Sequence, residues 1–412
     1  MRKYFIDLFA GCGGLSLGLE NAGFLPAYVN ELDKDALESY LLNRDAKFPY
    51  LRSKYHGRSI HEISKRIGAL ETLRTQLKDD FGIKKKELDL VVGGPPCQGY
   101  SSIGIRRNFH VDRQEIPSNY LYRDMIKVIK VFEPEAFMFE NVGGLLRGKW
   151  TRDGRQGEIW EDVQSDFEML SNYNVRWQLV RSKDYGVPQN RPRVILVGLR
   201  KDFDFEPDSG FPADGLLPKP TGGYPEPYDL LGDLVDPRYL GKKSTNLYPS
   251  RPKTSLQKKF RTLPNGKILG KGAQLTEQEY SKHSERIRKK FSYMLKHSGK
   301  IPEYAATRKF SQRIIPKKWG SKGPNITLTS LPDDYVHFSQ PRCPTVREWA
   351  RLQTFPDWYV FAGKRTTGGQ KRGGNPHEGN WSRDTPKYTQ IGNAVPVKLA
   401  EVLGRHFLKI TS

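Results

Sequence analysis

The first 200 residues alternate short apolar runs with helix-like stretches, and that alternation leaves few folds open. Tyr4-Phe5-Ile6-Asp7-Leu8-Phe9 reads as a buried strand, Gly11-Cys12-Gly13-Gly14 as a tight turn, and Leu15 to Ala22 as a helix. Ala27 to Glu31 is a second strand, and Leu88 to Val92 is a later one that runs into Gly93-Gly94-Pro95-Pro96. Ala136 to Glu140 follows a helix over Leu121 to Phe132, and Val194 to Gly198 is a further strand. Short strands separated by helices are joined by crossovers, and crossovers lay the helices on the faces of the sheet. The expectation is an α/β fold with a mostly parallel sheet covered on both sides.

The pattern breaks near residue 200. Residues 202 to 250 are rich in Pro, Gly and Asp, a mark of turns and irregular chain. A basic segment follows, whose one convincing helix spans Glu277 to Lys296. Helical periodicity returns over Thr345 to Leu352 and again over Val397 to Phe407, with a Gly-rich basic loop, Gly363 to Lys387, between them. The chain is expected to divide into 1–200, 201–340 and 341–412, the last part returning to the first.

Charge is distributed unevenly. From Arg238 to Lys322 the chain carries 23 Lys or Arg against four Glu, a net +19 of the chain's +22. A block of one sign repels itself and is relieved by a polyanion, nucleic acid first, with an anionic membrane or a solvated face as alternatives. The segment lacks a clean amphipathic lysine helix, which weakens the membrane reading. No run approaches the roughly 20 apolar residues of a membrane span, and the start has no signal-peptide pattern. The three cysteines, Cys12, Cys97 and Cys343, are too few for a disulfide framework and fit no zinc spacing, so a reducing cytoplasm is expected.

Several strand ends carry chemistry. The turn Gly11-x-Gly13-Gly14 lets backbone approach a ligand at a helix N-terminus, and Glu31 lies where a carboxylate takes both ribose hydroxyls. That pair suits NAD or any other adenosine ligand, although the third glycine of the dinucleotide fingerprint is missing. Cys97 follows Pro95-Pro96 at another strand end, a stiff loop that would present a thiolate nucleophile. Cys12 and Cys343 lack such a setting and read as structural. Glu140 ends the next strand, where burial would raise its pKa and let it donate a proton. Arg191 and Arg193 precede the last strand, and without further context would read as surface salt-bridge partners.

Six stretches together resemble the DNA (cytosine-5) methyltransferases. They are Asp7-Leu8-Phe9-Ala10-Gly11-Cys12-Gly13-Gly14, Pro95-Pro96-Cys97-Gln98, Glu140-Asn141-Val142, Gln189-x-Arg191-x-Arg193, Arg347-Glu348-x-Ala350-Arg351-Leu352-Gln353-Thr354-Phe355-Pro356-Asp357, and Gln390-Ile391-Gly392-Asn393-Ala394-Val395-Pro396. They occur in the family's order, from residue 5 to about 400. The resemblance implies a Rossmann-like S-adenosylmethionine-dependent methyltransferase sheet with a smaller, irregular, basic target-recognition domain. It implies that Cys97 adds to C6 of a flipped-out cytosine, that Glu140 binds N3 and the exocyclic amine, and that Arg193, supported by Arg191, bonds O2. Phe9, Gly11, Gly13, Glu31 and Asn393 would hold S-adenosylmethionine, with a plain helix cap as the other reading of Asn393. Gln98, Ser101, Arg106 and Arg107 would meet DNA from a loop that closes on it, and Gly363 to Gly369 would add a further groove or backbone contact. One departure stands out: where the family usually has an Asp for the adenine amine, this chain has Arg58-Ser59-Ile60.

The expected substrate is double-stranded DNA, and no metal is needed. The resemblance further implies a prokaryotic, stand-alone, monomeric enzyme without an N-terminal regulatory domain, paired with a restriction endonuclease of the same site. A tRNA cytosine-5 methyltransferase is the nearest alternative. An NAD oxidoreductase would need neither the Pro-Pro-Cys loop nor the basic block, and an inactive DNA-binding relative would have lost Cys97 or Glu140.

Overall fold

A computed structural model describes residues 2–96, 112–306, 312–367 and 384–412. Seven strands form one sheet: β1 Lys3–Leu8, β2 Phe24–Asn30, β3 His56–Gly57, β4 Leu90–Gly93, β5 Ala136–Val142, β6 Tyr173–Arg181 and β7 Pro192–Arg200. Their order is β3-β2-β1-β4-β5-β7-β6. The first five are parallel, β7 runs antiparallel to β5, and β6 runs antiparallel to β7. The expected parallel sheet is therefore present, with an antiparallel pair at one edge.

Strand residues alternate between two cores, as a period of two requires. Ile6, Val29, Val91, Phe137 and Phe139 face one side, under helices Lys34–Leu42, Ala69–Phe81, Leu121–Phe132 and Glu158–Glu168. Phe5, Val92, Met138, Ile195 and Val197 face the other, under helices Gly14–Ala22 and Val397–Ile410. The last two helices meet through small residues. A Cβ on Gly18 would lie 2.3 Å from Ala400 Cβ, and one on Gly404 would lie 2.8 Å from Ala22 Cβ. The C-terminal helix is thereby laid directly on the first one.

Two expectations need correction. The basic helix begins at Glu285, not Glu277: Ser284 caps it by accepting from Ile287 N, while Glu277 has a left-handed φ of 62°. Strand β6 was not foreseen. It is an edge strand with one mostly solvated face, and Arg176, Gln178 and Arg181 interrupt its apolar run.

Between residues 227 and 340 regular structure is sparse among the described residues: helices Pro227–Leu231, Ser255–Arg261 and Glu285–Lys296, short 3-10 turns, and a short parallel pair, Arg313–Ile314 with Tyr335–Val336. This region shares its largest core with the chain's end. Leu230, Leu234, Tyr248 and Phe260 pack with Trp349, Phe355, Tyr359 and Tyr388. Buried charges tie the two together. Asp233 accepts from Arg351 Nη1 at 2.6 Å and from Arg261 Nε at 2.7 Å, and Asp357 accepts from Arg351 Nη2 at 2.6 Å. Arg342 pairs with Glu348 at 2.6 Å and, against the cost of burial, pulls its carboxyl down to about 2.

Candidate active site

Parallel pairing aligns the carboxyl ends of β1 to β5, and the antiparallel register places Arg193 opposite Val142. One edge of the sheet therefore collects the turn after β1, Glu31 after β2, Ser59 after β3, the Pro95-Pro96 loop after β4, Glu140 on β5 and the start of β7. Open α/β sheets bind ligands at this edge.

At the β1 end the chain turns sharply. Phe9, Gly11 and Gly13 have φ of 60°, 56° and 86°, a region glycine enters freely and Phe9 only under constraint. The Gly11 amide donates to Glu31 Oε2 at 2.8 Å, and Asp33 N donates to Glu31 Oε1 at 2.8 Å. Burial pushes the Glu31 carboxyl up to about 6, and these two N–H groups restrain the rise. A Cβ on Gly11 would meet no atom of the described residues within 4 Å, so among them the turn has an open side. A carboxylate offers about four acceptor positions, which leaves Glu31 capacity for a diol. An adenosine ligand fits this donor and acceptor set.

Ser59 follows β3 as expected, but its Oγ accepts from His61 N at 3.3 Å, within its own turn. Asn393 is exposed and is the last residue of helix Lys387–Asn393. The helix after it begins behind Pro396, so Asn393 does not cap that helix's N-terminus. Its own helix abuts the glycine turn. A Cβ on Gly14 would lie 2.4 Å from Val395 O, and Cys12 Sγ lies 3.5 Å from Gln390 O. Cys12 and Cys343 are both buried, as their structural reading required, and burial pushes the Cys12 thiol up to about 12.

The second cluster lies two and three strands away. Glu140 is buried, and its Oε1 is 2.5 Å from Arg193 Nε. A Cβ on Gly94 would be 3.0 Å from Glu140 Oε2, so glycine there lets the carboxylate lie against the loop after β4. Asn141 Nδ2 donates to Pro95 O at 3.2 Å and ties the same two strand ends together. Arg191 and Arg193 are each 5% exposed, which rules out the surface salt-bridge reading. Arg191 Nη1 donates to Leu328 O at 2.9 Å, and its Nε has no hydrogen-bond partner among the described residues. Burial, with the Arg193 guanidinium beside it, pushes Arg191 downward, while Glu140 opposes this. Among the described residues two guanidinium groups here meet one carboxylate, all three buried, a setting that favours an anion or a polar planar ligand.

Gln189, which had no assigned role, is fully buried. It donates to Leu352 O at 3.1 Å and accepts from Leu328 N at 3.2 Å, joining the approach to β7 to the chain at Leu328 and to helix Val346–Leu352. Cys97, Gln98, Ser101, Arg106 and Arg107 lie outside the described residues, as does most of the Gly363 to Lys387 loop from residue 368 to 383. Among the described residues there is no cluster of His, Cys, Asp and Glu suited to a metal, and no helix long and apolar enough to cross a membrane.

Residues 4–409 match the family model for C-5 cytosine-specific DNA methylase. Type II methyltransferase M.DdeI of Desulfomicrobium norvegicum is 29% identical over 415 residues, covering 97% of this chain and 86% of that protein. Type II methyltransferase M.XorII of Xanthomonas oryzae pv. oryzae is 30% identical over 431 residues, covering 99% and 85%. Among solved structures, a chain described as a DNA modification methyltransferase encoded within an E. coli prophage superposes with a TM-score of 0.65 at 22% identity, covering 99% of each chain. The Entamoeba histolytica methyltransferase EhMeth superposes with a TM-score of 0.56 at 14% identity, covering 99% and 98%. These two likenesses concern the fold.

Proposed function

The chain belongs to the C-5 cytosine-specific DNA methylase family, and from that premise we propose how its residues methylate cytosine in a specific double-stranded DNA sequence. The Glu140–Arg193 pair, buried against the loop that leads to Cys97, is the observation that carries the assignment.

Cytosine C5 is a poor nucleophile. Cys97, as thiolate, adds to C6 and turns the ring enamine-like. An ordinary thiol with pKa about 8.5 is only a few per cent ionised at neutral pH, so the positive charge of Arg191 and Arg193 assists. Glu140 holds N3 and the exocyclic amine, Arg193 holds O2, and Arg191 supports Arg193. Removal of the C5 proton after methylation restores the ring and expels Cys97. S-adenosylmethionine, when bound, supplies the methyl group on an electrophilic sulfonium. Glu31 takes its ribose, the turn's open side at Gly11, with the backbone of Gly13, takes its backbone-facing edge, and Phe9 and Asn393 flank it.

Both C5 and C6 are hidden in a stacked duplex, so the base is extruded at a cost of a few kcal/mol. Region 201–340, with its +19 block, offsets that cost through phosphate contacts. Gln98, Ser101, Arg106 and Arg107 contact the DNA beside the extruded base. The 341–412 segment returns to the catalytic part, 1–200. The enzyme works as a cytoplasmic monomer beside a restriction endonuclease that cuts the same site. The Type II relatives favour DNA over tRNA as substrate.

The test is bisulfite sequencing of plasmid DNA from a host expressing the parent or Cys97→Ser. The expected result is one methylated sequence context with the parent and none with the variant. Methylation by Cys97→Ser at the parental level would refute the mechanism, and modification of tRNA alone would refute the substrate.

A further inference from the structure

Behind the donor-binding turn lies a buried cluster that the reaction above does not use. Tyr359 OH donates to Cys12 O at 2.5 Å and accepts from Arg44 Nη1 at 3.0 Å. Arg44 Nη2 donates to Gly13 O at 3.2 Å, and its Nε donates to Glu20 Oε1 at 2.7 Å. The guanidinium also stacks on the Tyr40 ring, 3.8 Å from its centroid. Tyr359 is fully buried and Arg44 is 2% exposed. A Cβ on Gly13 would lie 2.8 Å from each of Arg44 Nη1, Tyr359 OH and Tyr40 Cδ2. Among the described residues the turn thus has two unlike sides: open at Gly11, filled by this cluster at Gly13.

Fixing two successive carbonyl oxygens fixes the peptide planes that carry them, and with those planes the direction of the neighbouring N–H groups. Cys12 O and Gly13 O are thus both fixed: the Gly13 N–H in the plane of Cys12 O donates to Ala10 O at 3.0 Å and closes the turn, and Gly13 O, which also accepts from Leu17 N at 3.0 Å, sets the direction of the Gly14 amide that begins helix Gly14–Ala22. A site whose donors are already oriented loses less freedom when its ligand arrives. We propose that Arg44 and Tyr359 are positioning residues for the methyl donor: they clamp the back of the glycine turn and so raise donor affinity without touching the donor. The proposal rests on the donor-site reading above. The clamp's two halves come from opposite ends of the chain, so the turn reaches its binding shape only once the C-terminal segment has docked.

The full-length parent, Tyr359→Phe and Arg44→Lys are titrated calorimetrically with S-adenosylhomocysteine, and separately with a DNA duplex in the absence of donor. Tyr359→Phe keeps the ring packing and removes both buried hydrogen bonds of the hydroxyl, to Cys12 O and from Arg44 Nη1, so the donor-analogue Kd is expected to rise about tenfold. Arg44→Lys keeps a cation beside Glu20 but cannot span Gly13 O and Tyr359 together, so a rise of the same order is expected. Duplex affinity is expected to stay within about twofold, and hydrogen exchange at residues 11–15 to quicken while strands β1 and β4 remain protected. Unchanged analogue affinity in Tyr359→Phe would overturn the clamp while leaving the donor site standing. Equal loss of analogue and duplex affinity would also overturn it, since that marks general loosening. Failure of the parent to bind the analogue would overturn the donor site and the clamp with it.

Discussion

The sheet half and the chain beyond residue 226 both bury apolar cores, but among the described residues only the second threads a web of buried ion pairs through its core. In residues 3–200 the inner strands bury both faces in apolar cores, and the charged groups at the candidate site sit on the strand-end edge where the backbone pattern delivers them. Beyond residue 226 an apolar core is present as well, but carboxylates stripped of water run through it and tie irregular chain together: Asp233, Glu348 and Asp357 are each matched by arginines. A hydrophobic core tolerates the loss of one contact by partial collapse, whereas a buried ion web does not tolerate the loss of one ion. The difference separates a part that conserves geometry for chemistry from a part whose shape depends on a few exact charge pairings.

The sharpest way to break this comparison is Asp233→Ala, which leaves Arg261 and Arg351 buried without their shared carboxylate. Removing one partner of a buried pair costs about 3–5 kcal/mol. Segment-resolved hydrogen exchange should show residues 229–361 losing protection while β1, β4 and β5 keep theirs. A uniform loss over both parts would show that they do not differ as argued. A smaller effect is expected at Gly18→Ala, whose new methyl would meet Ala400 Cβ at 2.3 Å and Val397 O at 2.5 Å. Overpacking of this kind costs about 1–3 kcal/mol, and urea denaturation should register it. Full stability in that variant would mean that the two helices are not in the contact described.

The smallest effect concerns pH. Burial raises Glu31 to about 6, so folding favours its protonated form: its contribution to stability is fully present below the ordinary carboxylate pKa and is gone once pH exceeds about 6. Donor binding has the opposite sign, because ribose hydroxyls donate to the ionised carboxylate. S-adenosylhomocysteine affinity should be flat above about pH 6 and fall about tenfold per unit below it. Asp7, raised to about 7 by burial, titrates nearby. Only the Glu31 dependence should disappear in Glu31→Gln, and a slope that persists there belongs to Asp7.

The contrast also explains what could be read in advance. Strand ends and site residues were legible because parallel strands deliver their carboxyl ends to one edge, so Glu31, Glu140 and the Pro95-Pro96 loop could be placed from local sequence alone. The β6 strand was not, since an edge strand faces water and Arg176 and Gln178 disguise its period. The false start of the basic helix has a local cause: Thr276 with Glu279 three residues on imitates a capping box, whereas the helix is capped by Ser284. The burial of Arg191 depends on Leu328, and the clamp joins Arg44 to Tyr359 across 315 positions. No local pattern reports pairings of that range.

The central claim is that the sulfur of Cys97 bonds transiently to C6 of an extruded cytosine. Incubating the enzyme and S-adenosylmethionine with a duplex carrying 5-fluorocytosine at the mapped site blocks loss of the C5 substituent and so stops the reaction at the covalent stage. Mass spectrometry should then find DNA attached to the peptide containing Cys97. An enzyme that methylates the unmodified duplex yet forms no such adduct, or forms it at another residue, would contradict the account.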